Sequence, residues 1–207
     1  MRPMPFLHPA AGLIFWIAIA FLGATQIWIA SANLLNRVRS AGVPHTRLDR
    51  GSLVVVMMTS GVAIGTAFQV AMSVPWAAIA PGVPAVRWVL LVVGVATIVA
   101  GALLRQWAII TLGRYFTVDV RITDGQPVVH SGPYRWIRHP SYIGLIAAFI
   151  GIGLALGNWF SLLLLLVVPT IGLVFRVHVE EAALLTNLGE PYRRYAARRK
   201  RLLPGLW

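Results

Sequence analysis

Three stretches with almost no charge set the environment of this chain: 11–32 (AGLIFWIAIAFLGATQIWIASA), 52–73 (SLVVVMMTSGVAIGTAFQVAMS) and 88–110 (WVLLVVGVATIVAGALLRQWAII). Each has the roughly 20 residues a helix needs to cross the ~30 Å apolar core of a bilayer. A fourth apolar region, Tyr142 to Phe175, is too long for one crossing. LGNW at 156–159 interrupts it with the turn-forming pair Gly157-Asn158, so it reads as two helices in a tight hairpin. Arg2 and the small residues Ala30-Ser31-Ala32 have the look of a signal peptide. The first run is longer than the roughly 7–15 apolar residues of such a signal, and it is read as a retained helix. The expectation is an all-α integral membrane protein with five transmembrane helices.

Charge in the loops gives the orientation. Arg37, Arg39, Arg47 and Arg50 fall in 33–51, and Arg114, Arg121, Arg135 and Arg138 fall in 111–139, whereas 74–86 (VPWAAIAPGVPAV) has no charge. Arginine gathers again after Phe175, above all in RRYAARRKR at 193–201. Because positive loops stay cytoplasmic, this alternation predicts an outside amino terminus and a cytoplasmic tail. The formal net charge of +12 then follows mostly from topology, with attraction to anionic lipid heads, and not from nucleic-acid binding.

Composition closes several routes to function. With no cysteine there is no disulfide, thiolate metal site or cysteine nucleophile. The six acids, Asp49, Asp119, Asp124, Glu180, Glu181 and Glu190, all lie outside the apolar runs, which argues against a proton or ion path through the membrane. His130 and His139 lack ligand spacing, and the His178, Glu181 pair alone is a weak metal signal. Glycines inside the runs, Gly61 with Gly65 and Gly151 with Gly153, read as helix-packing residues.

Chemistry is thus expected on the cytoplasmic face, in a pocket formed by 111–139 and the C-terminal helices. Asp124-Gly125 and Ser131-Gly132-Pro133 mark turns around Val128-Val129. Pro140 opens the fourth helix, and the free amides expected at that helix start, with Arg138 beside them, suggest an anion site. Glu180 and Glu181 emerge at the end of the fifth helix, Gly189 is a helix stop, and Pro191 opens a short helix carrying Tyr192 and Tyr195 on one face.

Taken together, HSGPYRWIRHPSYIG, VEEAALL, LGEPYRRY and RKRLLPG resemble the carboxy-terminal region of the isoprenylcysteine carboxyl methyltransferase family and its phospholipid methyltransferase relatives. The resemblance covers about 110–207 and divides the chain into three N-terminal helices, 1–110, and a methyltransferase core, 111–207. It implies S-adenosyl-L-methionine as cofactor and an amphiphilic isoprenoid or lipid substrate entering from the bilayer. Position by position it implies a cofactor site of His130, Gly132, Tyr134, His139, Pro140, Tyr142, Gly144, Glu180 and Glu181, with Arg138 and Arg201 holding an acidic methyl acceptor. The sequence departs from the family pattern at Leu188-Gly189, at Pro191 and in the two leucines between Arg201 and Pro204.

The residues agree with this implication in one respect: a zwitterionic cofactor needs an anion site and an acid, and this face supplies both. A carboxylate acceptor, ionised at neutral pH, requires no general base, only position and dryness. A phospholipid amine would require one, from Glu180, Glu181 or His139. Two other readings are an NADPH-dependent sterol-type reductase of similar layout and a non-enzymatic membrane protein that binds anionic lipid or a partner.

Overall fold

A computed structural model of the protein describes residues 2–39, 45–123 and 125–202. Asp124 of the expected turn and Pro204 of the tail motif lie outside them. Five helices carry the fold: α1 (Pro9–Arg39), α2 (Ser52–Ser73), α3 (Pro84–Leu112), α4 (Pro140–Leu156) and α5 (Trp159–Arg198). Four of them, all but the 17-residue α4, are long and apolar enough to cross a membrane. Their outward faces keep large apolar side chains such as Leu13, Ile27, Met57, Val62 and Ile171 exposed, as a lipid environment allows.

Among the described residues two short strands form a ribbon, β1 (His45–Arg47) paired antiparallel with β2 (Arg121–Thr123). The register His45↔Thr123 brings the α1–α2 loop onto the long α3–α4 connection. Loop composition gave no alternating apolar pattern over three residues, so the pairing had no periodic signal to show it.

The interior depends on small residues. A Cβ added at Gly94 would lie 2.6 Å from the Gly151 carbonyl oxygen, and one added at Gly144 would lie 2.5 Å from that of Gly101. The α3 and α4 backbones therefore touch at two levels, which glycine alone permits. Gly153 packs in the same way on Leu162 of α5, whereas Gly61 and Gly65 face open space, contrary to their expected packing role. Phe15, Leu91, Ile98, Leu156 and Leu165 fill the core around these contacts.

Candidate active site

The start of α4 is built by the motif that precedes it. Gly132–Arg135 forms a 3₁₀ turn that buries Tyr134. Gly132 has φ +54° and a Cβ there would stand 2.7 Å from Thr111 Oγ1, so both conformation and space require glycine. Residues 137–139 then run beside the tail, the Arg138 and His139 amides donating to the Lys200 and Arg201 carbonyls at 2.9 and 3.0 Å. The Tyr142 amide bonds back to the His139 carbonyl at 3.1 Å. The backbone just before this helix start is thus clasped to the C-terminal segment.

Glu181 is the centre of that clasp. Only 4% exposed, its carboxylate accepts from Arg138 Nη1 at 2.5 Å, Arg201 Nε at 3.2 Å and Tyr192 Oη at 3.2 Å, and lies 2.9 Å from His139 Nε2. At 1.5 Å per residue it stands roughly 33 Å along α5 from Trp159, past one hydrocarbon thickness and outside the crossing segment. Burial would raise its pKa, but the His139 hydrogen bond and charge, with Arg138 and Arg201, outweigh it and hold the group down at about 2. Tyr192 reaches Glu181 because α5 breaks at Gly189, whose φ of +59° turns the last helical segment back toward α4. Tyr195 on the same segment donates to the Tyr134 carbonyl at 2.8 Å, and its ring meets the edge of the exposed His130.

The two glutamates are therefore not equivalent. Glu180 is 30% exposed on its side chain, accepts from Tyr142 Oη at 2.6 Å and faces a cavity of about 130 Å³. Tyr134, Arg138, His139, Tyr142 and Glu180 line that cavity, with Tyr192 and Tyr195 from beyond the kink. The other expected site residues surround it. Pro140 is fully buried at the start of α4, Gly144 lies in the α3–α4 contact, and Glu181 and Arg201 form the clasp behind it.

Two arginines at this site escaped the sequence reading. Arg176 donates through Nε to Tyr142 Oη at 2.9 Å, through Nη1 to Asp49 Oδ1 at 2.8 Å and Ser52 Oγ at 3.0 Å, and through Nη2 to the Val118 carbonyl. Its signal was its place one helical turn before Glu180. Arg105 on α3 donates to Ser141 Oγ at 3.2 Å, while its buried Nε has no hydrogen-bond partner among the described residues. A cation within the 88–110 apolar run was the signal there.

Loop acids hold the surrounding frame. Burial would raise the Asp119 carboxyl, but hydrogen bonds from Arg37 at 2.8 Å and Arg121 at 3.1 Å lower it overall. Asp49 is lowered in the same way, by the Leu53 and Val120 amides, Ser52 and Arg176 against the cost of burial. No group of three or more metal-ligating side chains occurs among the described residues.

Residues 92–186 match the isoprenylcysteine carboxyl methyltransferase (ICMT) family. The matched segment, just under half of the chain, runs from within α3 through Glu180 and Glu181. Protein-S-isoprenylcysteine O-methyltransferase B of Arabidopsis thaliana is 36% identical over 107 residues, 51% of this chain and 54% of that protein. The uncharacterized protein YpbQ of Bacillus subtilis strain 168 is 29% identical over 89 residues, 43% of this chain and 53% of its own. The chain thus spans about half the length of the curated relatives it matches. A solved structure of the eukaryotic intramembrane Ras methyltransferase ICMT superposes with a TM-score of 0.55 at 20% identity, covering 97% of this chain and 87% of that one. The ICMT likeness read from the motifs at 110–207 therefore holds, and the shared fold extends through the three N-terminal helices that carry no motif.

Proposed function

We propose that this chain transfers a methyl group from S-adenosyl-L-methionine to the ionised carboxylate of an isoprenoid- or lipid-bearing substrate. The observation that carries the reading is the cavity at the polar ends of α4 and α5. There the family-matched segment brings Tyr134, His139, Tyr142 and Glu180 together. In this reading α4 and α5 are a membrane hairpin, so five helices cross, with the amino terminus outside and the cavity cytoplasmic. Residues 111–207 are the transferase core, carried on 1–110.

The cavity's chemistry fits the cofactor. The partly exposed Glu180 carboxyl suits an ammonium, and the rings of Tyr134, Tyr142 and Tyr192 offer faces for a planar base. S-Adenosyl-L-methionine, when bound, supplies an electrophilic methyl group on a positively charged sulfur. The protein's part is to position, to exclude water and to hold the acceptor carboxylate. The sequence reading gave the last task to Arg138 and Arg201, but both guanidinia bond to Glu181. Arg138 nonetheless lines the cavity, and its buried Nε has no hydrogen-bond partner among the described residues, which leaves it a donor for a carboxylate arriving from the apolar side.

The test is calorimetric titration of the detergent-purified chain with S-adenosylhomocysteine and, separately, NADPH. It is followed by methyl transfer to four acceptors: an S-farnesylated N-acetylcysteine, a free isoprenoid acid, a fatty acid and a phosphatidylethanolamine. Saturable S-adenosylhomocysteine binding with transfer to a carboxylate acceptor is the expected result, and Arg138→Lys, which removes the Nε donor and keeps the charge, lowers kcat/KM for that acceptor at least tenfold. Binding of NADPH alone would replace the reading with a reductase, and transfer only to the amine would replace the acceptor.

A further inference from the structure

The α1–α2 loop contributes to the site from outside the family-matched segment. Arg176 is 6% exposed on its side chain, and a cation this buried must have a counter-charge. Glu180, one turn along the helix, accepts instead from Tyr142 Oη. Among the described residues the carboxylate bonded directly to Arg176 is Asp49, 127 positions away. Asp49 is itself pinned: Oδ1 accepts from Ser52 Oγ at 3.0 Å and the Val120 amide at 3.3 Å, and Oδ2 from the Leu53 amide at 3.2 Å. One loop acid thereby ties α2, the α3–α4 connection and α5 to a single guanidinium.

We infer that Asp49 is a positioning residue for methyl transfer: it fixes the Arg176 guanidinium, which in turn orients Tyr142 and, through it, Glu180. The inference rests on the proposed function. The relay is geometrically continuous, Asp49 to Arg176 at 2.8 Å, Arg176 to Tyr142 at 2.9 Å and Tyr142 to Glu180 at 2.6 Å. Asp49 lies outside the cavity lining, so it acts through Arg176 and not on the reactants. The amino-terminal half is thus more than a membrane anchor for the core.

The experiment is a double-mutant cycle of Asp49→Asn and Arg176→Lys in the full-length detergent-purified protein. Its readouts are kcat/KM for the S-farnesylated N-acetylcysteine, S-adenosylhomocysteine affinity and the thermal midpoint. Asp49→Asn is expected to lower kcat/KM about tenfold, the scale of one lost charge-assisted bond, and to weaken S-adenosylhomocysteine binding as well, because the relay ends on Glu180. In the Arg176→Lys background the same change is expected to cost less than twofold, because the relay is already broken. Wild-type kcat/KM in Asp49→Asn, or losses that multiply independently of Arg176, would overturn the positioning role and leave the methyltransferase reading intact. A wild-type protein that neither binds S-adenosylhomocysteine nor methylates any acceptor would overturn both. If Asp49→Asn fails to fold, Ser52→Ala, which removes the other bond to the same Nη1, takes its place in the cycle with the same criteria.

Discussion

The two ends of the helix bundle are closed by different physics. At one end, segment 74–83 meets the 157–158 turn without an acid: the Ile79 amide donates to the Gly157 carbonyl at 2.7 Å, and Asn158 donates to the Val74 carbonyl at 3.0 Å. At the other, Arg37, Arg121, Arg138, Arg176 and Arg201 are paired with Asp49, Asp119 and Glu181, and a cavity lies among them. Closure by backbone and amide hydrogen bonds needs no ion pair. Closure by ion pairs costs desolvation and depends on each partner, but it holds polar groups around a space that a reactant can enter.

Removing the central acid should separate the two ends most strongly. Glu181→Ala leaves Arg138, His139 and Arg201 facing a vacated buried site, a loss of about 3–5 kcal/mol by analogy with broken buried pairs. Limited proteolysis should then cut the tail beyond the Gly189 kink while the 157–158 turn stays protected. The same clasp gives an acid transition. Glu181 has its pKa depressed from 4.5 to about 2, so its stabilisation is complete above pH 4.5 and fades as pH falls toward 2. Near-ultraviolet circular dichroism of Tyr192 and Tyr195 should follow that loss, and Glu181→Gln should remove the transition.

The α3–α4 glycines sharpen the contrast because they repeat one contact at two depths. Gly94 meets Gly151 toward the 157–158 turn, while Gly101 meets Gly144 one turn from Arg105 and Ser141. Gly94→Ala and Gly101→Ala should each cost about 1–3 kcal/mol through overpacking against backbone. Turnover should fall much further in Gly101→Ala, since a displacement of about 1 Å at a positioned site can cost about 100-fold in rate. Equal turnover losses in the two variants would show that this helix contact does not set the cavity's geometry.

The same division explains what the sequence revealed. Apolar runs and loop arginines placed α2 at its observed bounds and α1 and α3 to within seven residues, and Gly157-Asn158 marked the α4–α5 turn, because each rests on local composition. The motif at 132–144 and the glutamate pair also announced the cavity. Their division of labour was not legible: adjacent Glu180 and Glu181 look alike in sequence, and only the kink at Gly189 and the returning tail bury one and leave the other facing the cavity. Asp49 meets Arg176 across 127 positions of chain and Arg105 meets Ser141 across 36, separations over which periodicity carries no information.

A smaller effect is expected at the end closed by the 157–158 turn. Asn158 Oδ1 accepts from the Phe160 and Ser161 amides at 3.0 and 3.2 Å, capping α5, while its amide holds Val74. Asn158→Ala should cost about 1 kcal/mol, within the range of a lost helix cap, and should leave S-adenosylhomocysteine affinity unchanged. The measurement is a thermal midpoint beside a calorimetric titration; weakened binding would show that closure at the far end is transmitted to the cavity.

The smallest effect tests whether charge alone matters at the charged end, or charge that is buried. Glu190 and Arg194 form an ion pair at 3.2 Å on the last segment of α5, with side chains 57% and 78% exposed. Solvent and salt screen such a pair, so Glu190→Ala should change stability by no more than a few tenths of a kcal/mol. It lies nine positions from Glu181 on the same helix, yet it should leave the acid transition, the proteolysis pattern and turnover as in the wild type. A loss comparable to that of Glu181→Ala would mean that the tail is held by its outer charges and not by the buried clasp, and the contrast between the two ends would have to be redrawn in terms of surface field.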